Sequence, residues 1–149
     1  MKLLTKANRT KLEANATVSE NAHLMPDVHI DHRPVVKLFD PAGAATWLLT
    51  EIEGDIAFGL CDLGMGSPEL GSVSITELEA VKGPLGLGIE RDQYFTASNT
   101  ISEYAAASRA AGYITAPSKT LADIPEPTSQ QKADAVKAFL AECEGSQIL

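Results

Sequence analysis

Cysteine is nearly absent. Only Cys61 and Cys143 occur among 149 residues, and they do not make the CxxC spacing of zinc or redox chemistry. A disulfide framework is thereby excluded, and two unpaired thiols in a reducing cytoplasm are the expectation. Long hydrophobic runs are missing too: none approaches the ~20 apolar residues of a membrane span. Lys6, Asn8, Arg9 and Lys11 interrupt the first apolar residues, so no secretory signal is read and no contact with a membrane is expected. Aromatic residues make up 5% of the chain, which requires a mainly aliphatic core. The scarcity with most consequence is of positive charge. From Leu38 to Val81 there is no lysine or arginine, while Asp40, Glu51, Glu53, Asp55, Asp62, Glu69, Glu77 and Glu79 are acidic. With a formal charge of −8, this segment repels phosphate, and direct binding of nucleic acid is not expected.

What is present is ordinary for a globular chain: 44% hydrophobic and 21% charged residues, long enough to bury a core without metal or disulfide staples. Leu3 to Ala14 reads as a short helix with Thr5 as N-cap, and Lys2, Lys6, Arg9 and Lys11 make this end basic. Residues 15–33 show no periodicity and hold Pro26 and all three histidines, His23, His29 and His32, so they read as a surface loop or linker.

The pattern then tightens into short strands divided by turns. PVVKLF (34–39) and TWLLTEI (46–52) flank a DPAG turn, EGD (53–55) turns the chain again, and DIAFGLC (55–61) is a third strand. In that strand Ile56, Phe58 and Leu60 share one face and Ala57, Gly59 and Cys61 the other, so the small face admits close approach of a neighbour. GSVSI (71–75) is a fourth strand. ITELEAVKG (75–83) is a short helix with Thr76 as N-cap, and IERDQYF (89–95) is a last strand or extended segment. TISEYAAASRAAG (100–112) has a capping box in Thr100 and Glu103 and a C-terminal Gly112. A proline-rich linker follows over 115–127, then a helix over 128–145 whose apolar stripe of Ala135, Val136, Phe139 and Leu140 offers a route to oligomers. The expected fold is α+β: residues 1–114 form one domain with an antiparallel sheet of about four or five strands and flanking helices, and the C-terminal helix is appended to it.

Candidate sites were weighed by chemistry. CDLGMGSPELG (61–71) holds three glycines, but a strand follows rather than a helix, no lysine is near, and Asp62 and Glu69 would repel phosphate. Its reading is a loop that shapes the fold first and, in any second role, presents Asp62 and Glu69 outward. A hard cation on those two carboxylates, with or without Asp92, would make a metal-dependent hydrolase; two or three acids without a recognised spacing do not establish one. The three histidines with Asp27 and Asp31 match no zinc spacing and read as surface residues. Cys61 beside Asp62 has the wrong electrostatics for a nucleophile, and no GxSxG elbow occurs. Glu90, Arg91, Asp92 and Tyr94 form a dense polar run able to bind a partner, and Trp47 reads as core or, alternatively, as a binding anchor. The partner-binding set is therefore Trp47, Asp62, Glu69, Glu90, Arg91, Asp92 and Tyr94. No cofactor, resident metal or catalytic group is expected.

KLLTK (2–6), PVVKLF, TWLLTE (46–51), AFGLCDLGMGSPELG (57–71), the SITELE run and LGLGIERDQYF (85–95) occur in an order that resembles the domain-of-unknown-function 2958 family, small bacterial proteins often encoded on plasmids and conjugative elements. The resemblance covers about residues 1–114 and omits the final helix. It implies a bacterial cytoplasm and a mobile-element setting, and it implies no activity and no catalytic residue. The favoured function is a non-enzymatic accessory protein that binds another protein. An acidic mimic of nucleic acid that blocks a DNA-binding protein, and the hydrolase above, are the alternatives.

Overall fold

The structure is a computed structural model that describes residues 2–118. The helix expected over 128–145, Cys143 and residues 119–127 of the linker lie outside the described residues. The rest is an α+β fold. Helix α1 (Lys6–Ala22) is followed by strands β1 (Val36–Phe39), β2 (Thr46–Glu53), β3 (Ile56–Asp62) and β4 (Glu69–Ser74). Helix α2 (Ile75–Ala80), a 3₁₀ turn (Pro84–Gly86), β5 (Glu90–Arg91) and α3 (Ile101–Ala111) complete it. All pairings are antiparallel and the sheet order is β4-β3-β2-β1-β5.

Local chemistry explains the turns. Asp40 accepts from Ala42 N at 2.9 Å and its own N–H reaches Ala45 O at 3.0 Å, which closes the β1–β2 turn. Between β2 and β3 only Gly54 and Asp55 remain, and Gly54 takes φ +61°, the conformation that the first residue of a two-residue hairpin asks for. In the 61–71 loop Gly64 and Gly66 are both left-handed (φ 83° and 81°) and Pro68 is fully buried, so the loop shapes the fold. Asp62 does not face outward as expected. It is 3% exposed and accepts from Gly64 N at 2.8 Å, because its side chain is used to hold the turn. Glu69 is exposed but belongs to β4, which begins two residues earlier than the sequence suggested.

The two sheet faces carry separate cores. Trp47, Leu49, Ile52 and Ala57 pack with Leu12 of α1, with Ile75 and Leu78 of α2 and with Val36 and Leu38. Leu3 and Leu4 join this core from just before α1 rather than from within it. On the opposite face Leu48 and Leu60 meet Ile101, Tyr104 and Ala105 of α3. The strand alternation expected for β3 is the one observed, with Ala57 and Cys61 on the α1 side and Leu60 on the α3 side. Gly59 sits where a Cβ would lie 1.9 Å from the Leu48 carbonyl oxygen, so only glycine permits β2 and β3 to approach this closely.

Two helix ends correct the sequence reading. The N-cap of α2 is Ser74, whose hydroxyl accepts from Glu77 N at 3.2 Å; Thr76 instead donates to Asp55 at 2.7 Å. Residues 15–33 are not a loose linker. Their first part continues α1 to Ala22, and their last part is tied to the start of α3, where Ile101 N donates to His32 O at 2.8 Å and Ser102 N to Asp31 at 3.1 Å. These bonds satisfy amides that a helix N-terminus leaves free. Among the described residues no helix is long and apolar enough to cross a membrane.

Two outcomes follow for stability. Gly59→Ala should destabilise the fold by about 3 kcal/mol or more, read from the urea midpoint, because the colliding atom is backbone. Burial alone would raise the Asp31 carboxyl, but hydrogen bonds from Ser102 and Thr100 outweigh it and hold the group below its ordinary 3.8. A depressed carboxylate adds stability above its unfolded pKa and loses it as pH falls through the folded one. The stability gap between the natural chain and Asp31→Asn is therefore full at neutral pH and closes below about pH 4, as measured by denaturation across pH.

Candidate functional site

β1 is shorter than the strand it pairs with. Its ladder runs from Phe39↔Thr46 to Val36↔Leu49, and Val35 N donates to Leu49 O at 2.8 Å; beyond that point β2 continues to Glu53 without β1 beside it. A register shift between Leu49 and Glu51 then leaves Thr50 out of the β2–β3 ladder. Thr50 is 1% exposed, so its carbonyl needs a donor, and Asn15 of α1 supplies one at 2.9 Å. The Thr50 hydroxyl donates to Phe58 O at 3.2 Å.

One helical turn further along α1, Ser19 Oγ donates to Glu51 Oε1 at 2.5 Å. His32 Nε2 lies 2.9 Å from Ser19 Oγ, 3.0 Å from Asn15 O and 3.5 Å from Glu51 Oε1. The grouping contains serine, histidine and a carboxylate, yet its geometry is not that of a hydrolytic triad. Asn15 O is an acceptor only and the Ser19 proton is given to Glu51, so Nε2 must carry its own hydrogen and has no lone pair for the serine. The cluster is a clamp between α1, the 24–33 segment and β2. His32, read from sequence as a surface residue, is 14% exposed at its side chain.

This clamp holds the second half of α1 across the end of the sheet and opens a trough of about 870 Å³. Glu13, Ala16, Thr17 and Glu20 line it from α1 at helical spacing. Glu51 and Phe58 face each other in the ladder, as do Glu53 and Ile56, and all four line its other side together with Ser72 of β4. A smaller cavity of about 460 Å³ adjoins it, sharing Ser19, His23, Glu51 and Phe58 and adding Val28, His29 and Ile30. The trough thus has apolar ground at Ile56 and Phe58 and four carboxylates around it. Arg9 stands at the rim, donating to Gly54 O at 2.8 Å and lying 3.8 Å from Glu13.

None of the seven residues singled out from the sequence lines the trough. Trp47 is 5% exposed in the core and Asp62 is buried. Glu69 opens β4 at one edge of the sheet, opposite Cys61. Glu90 and Arg91 lie at the other edge, beyond β1. Arg91 Nη1 donates to Leu3 O at 2.6 Å and so ties the N-terminal segment to β5. Asp92 accepts from Tyr94 N at 2.9 Å, and Tyr94 is 94% exposed. Asp92 is therefore separated from Asp62 and Glu69 by the intervening strands, and the three acids do not converge. Among the described residues no three His, Cys, Asp or Glu side chains are grouped to hold a metal. Burial raises the Cys61 thiol above its ordinary value and keeps it protonated at neutral pH; the cause is desolvation, where the sequence had pointed to Asp62.

Sequence reasoning missed Asn15, Ser19 and Glu20 because it ended the helix at Ala14, and it gave Glu13, inside that helix, no role. The signal available was spacing: positions 13, 16, 17 and 20 fall on one helical face once α1 runs on.

A family model described as Protein of unknown function (DUF2958) matches residues 3–115. The chain belongs to that family. No curated protein and no solved structure matches the chain. The match places the whole trough, the clamp and all five strands of this DUF2958 protein inside the family region, whereas the C-terminal residues from 116 on lie beyond it.

Replacing Asn15 by leucine, which keeps the branched heavy-atom skeleton but removes the donor, should cost about 1–3 kcal/mol by stranding the Thr50 carbonyl. Thermal denaturation reads the loss, and amide hydrogen exchange should quicken over residues 15–22 while β3 stays protected.

Proposed function

We propose that this protein is a non-enzymatic binding module that takes a cationic segment of a partner protein into the trough between α1 and the β2–β3 end of the sheet. One observation carries the reading: Glu13, Glu20, Glu51 and Glu53 surround a concave surface with Ile56 and Phe58 at its floor. Carboxylates at the wall supply orientation and on-rate for lysine or arginine, and the apolar floor supplies contact area. No lysine or arginine occurs from Leu38 to Val81, so β2, β3 and β4 bring nothing that would neutralise the site from within.

A mimic of nucleic acid asks for carboxylates on a projecting surface that enters a basic groove. The four here line a hollow, which suits a receiver of positive charge better than a decoy. The family resemblance supports a setting in bacterial mobile elements, in which an accessory protein of this kind would act in maintenance, transfer or evasion of host defence within the cytoplasm.

The test is comparative capture from a bacterial host carrying the parent element. The natural chain and Glu20→Gln/Glu53→Gln serve as baits, with circular dichroism showing that both are folded. Glu20 and Glu53 are exposed and their carboxylates make no hydrogen bond or ion pair among the described residues, so the substitution changes charge and not fold. The same partner should be recovered about tenfold less by the variant, and less by either bait as salt rises. Equal recovery by both baits would contradict the reading.

A further inference from the structure

The two edges of the sheet differ in how they are protected. β5 is two residues long and both are charged, Glu90 and Arg91. β4 is six residues long, pairs with β3 along its whole length and, among the described residues, is the terminal strand on its side. From Leu70 to Ser74 it reads LGSVS, with no charge and no proline. Natural edge strands are usually blunted by shortness, lysine, proline or a bulge, because an open row of N–H and C=O groups is a template for another strand. β4 has none of these. Among the described residues its backbone is bonded by β3 and touched by the Cys61 thiol at 3.9 Å from Gly71 O.

Charge decides what would pair there. Glu69 begins the strand, and Asp55 and Glu77 stand at its far end, where Asp55 holds Ser74 and Thr76. A second copy laid antiparallel along β4 would set these acids against each other, in chains that each carry −8. A segment bearing lysine or arginine would meet Glu69, Asp55 and Glu77, with Arg9 at the trough rim as the cation beside Asp55.

We propose that the β4 edge accepts an extended, lysine- or arginine-bearing segment of a partner protein as a sixth strand, with alternate side chains projecting over the trough. The register supports the second part. Ser72 lies opposite Phe58, and Phe58 opposite Glu51, so all three share the trough face, and a residue paired with Ser72 joins the same row. The inference rests on the trough reading and specifies how the partner enters. Backbone pairing supplies affinity and the carboxylates select the side chains.

The experiment uses the full chain and a short synthetic peptide of alternating lysine and valine, with its glutamate–valine counterpart and two copies N-methylated on the odd or on the even residues. Binding is read by anisotropy and strand addition by hydrogen exchange of the β4 amides. The lysine–valine peptide should bind and slow exchange at alternate positions of residues 69–74 by about tenfold or more, and the glutamate–valine peptide should not bind. The two methylated copies should differ from each other in affinity by about tenfold, because only one of them keeps its bonding edge free. Binding that is weakened by Glu20→Gln/Glu53→Gln but leaves β4 exchange unchanged would overturn the strand inference and leave the trough reading standing. Absence of binding, equal affinity of the two methylated copies, or β4 protection that appears without peptide and rises with protein concentration would each overturn it as well, the last by identifying a second copy as the occupant.

Discussion

One buried carbonyl organises this molecule. β1 ends at the level of Leu49, β2 goes on, and the irregularity that follows leaves Thr50 without a strand partner at a position with almost no access to water. A buried carbonyl without a donor is costly, and the donor comes from Asn15, 35 positions away in the chain. That single bond fixes where α1 crosses the sheet. Ser19 and Glu51 then meet one turn later, His32 closes on both, and the helix face carrying Glu13, Ala16, Thr17 and Glu20 is left standing off the sheet as the wall of a trough.

The same constraint explains which parts of the fold were readable in the sequence. Strands β1 to β4 and their turns were, since each depends on neighbours a few residues apart: Asp40 in its turn, Gly54 in its hairpin, alternation in Ile56 to Cys61. Helix α3 was readable because Glu103 reaches back to Thr100 N at 3.1 Å and Gly112 is left-handed, both local signals. The second half of α1 was not. Asn15, Thr17, Val18 and Ser19 are indifferent helix formers, and they are helical because Asn15 and Ser19 are bonded to β2. His32 looked like a surface residue for the same reason, since its three partners come from α1 and β2. The place of β5 at the far edge, next to β1, likewise depends on pairings such as Leu38↔Arg91 that no short pattern announces.

The candidate site was less readable than the fold. The residues that stood out by type, Trp47, Asp62 and the Glu90–Tyr94 run, are occupied in the core, in a turn, or at the opposite edge. The charge pattern was a better guide than any motif. A segment with acids and no cations becomes three adjacent strands, and its Glu51 and Glu53 land on the face that α1 leaves open. Neither glutamate was distinguishable in sequence from Asp40 or Glu79, because what sets them apart is the shift in register after Leu49.

The account therefore stands on whether α1 is pinned through its second half. A through-hydrogen-bond scalar coupling from the Asn15 side-chain amide to the Thr50 carbonyl carbon, measured by solution NMR on the full chain, tests it most directly. The account predicts an observable coupling, slowly exchanging Asn15 amide protons and helical order through Ala22. Side-chain protons of Asn15 exchanging at the rate of free amide, with residues 16–22 disordered, would contradict it.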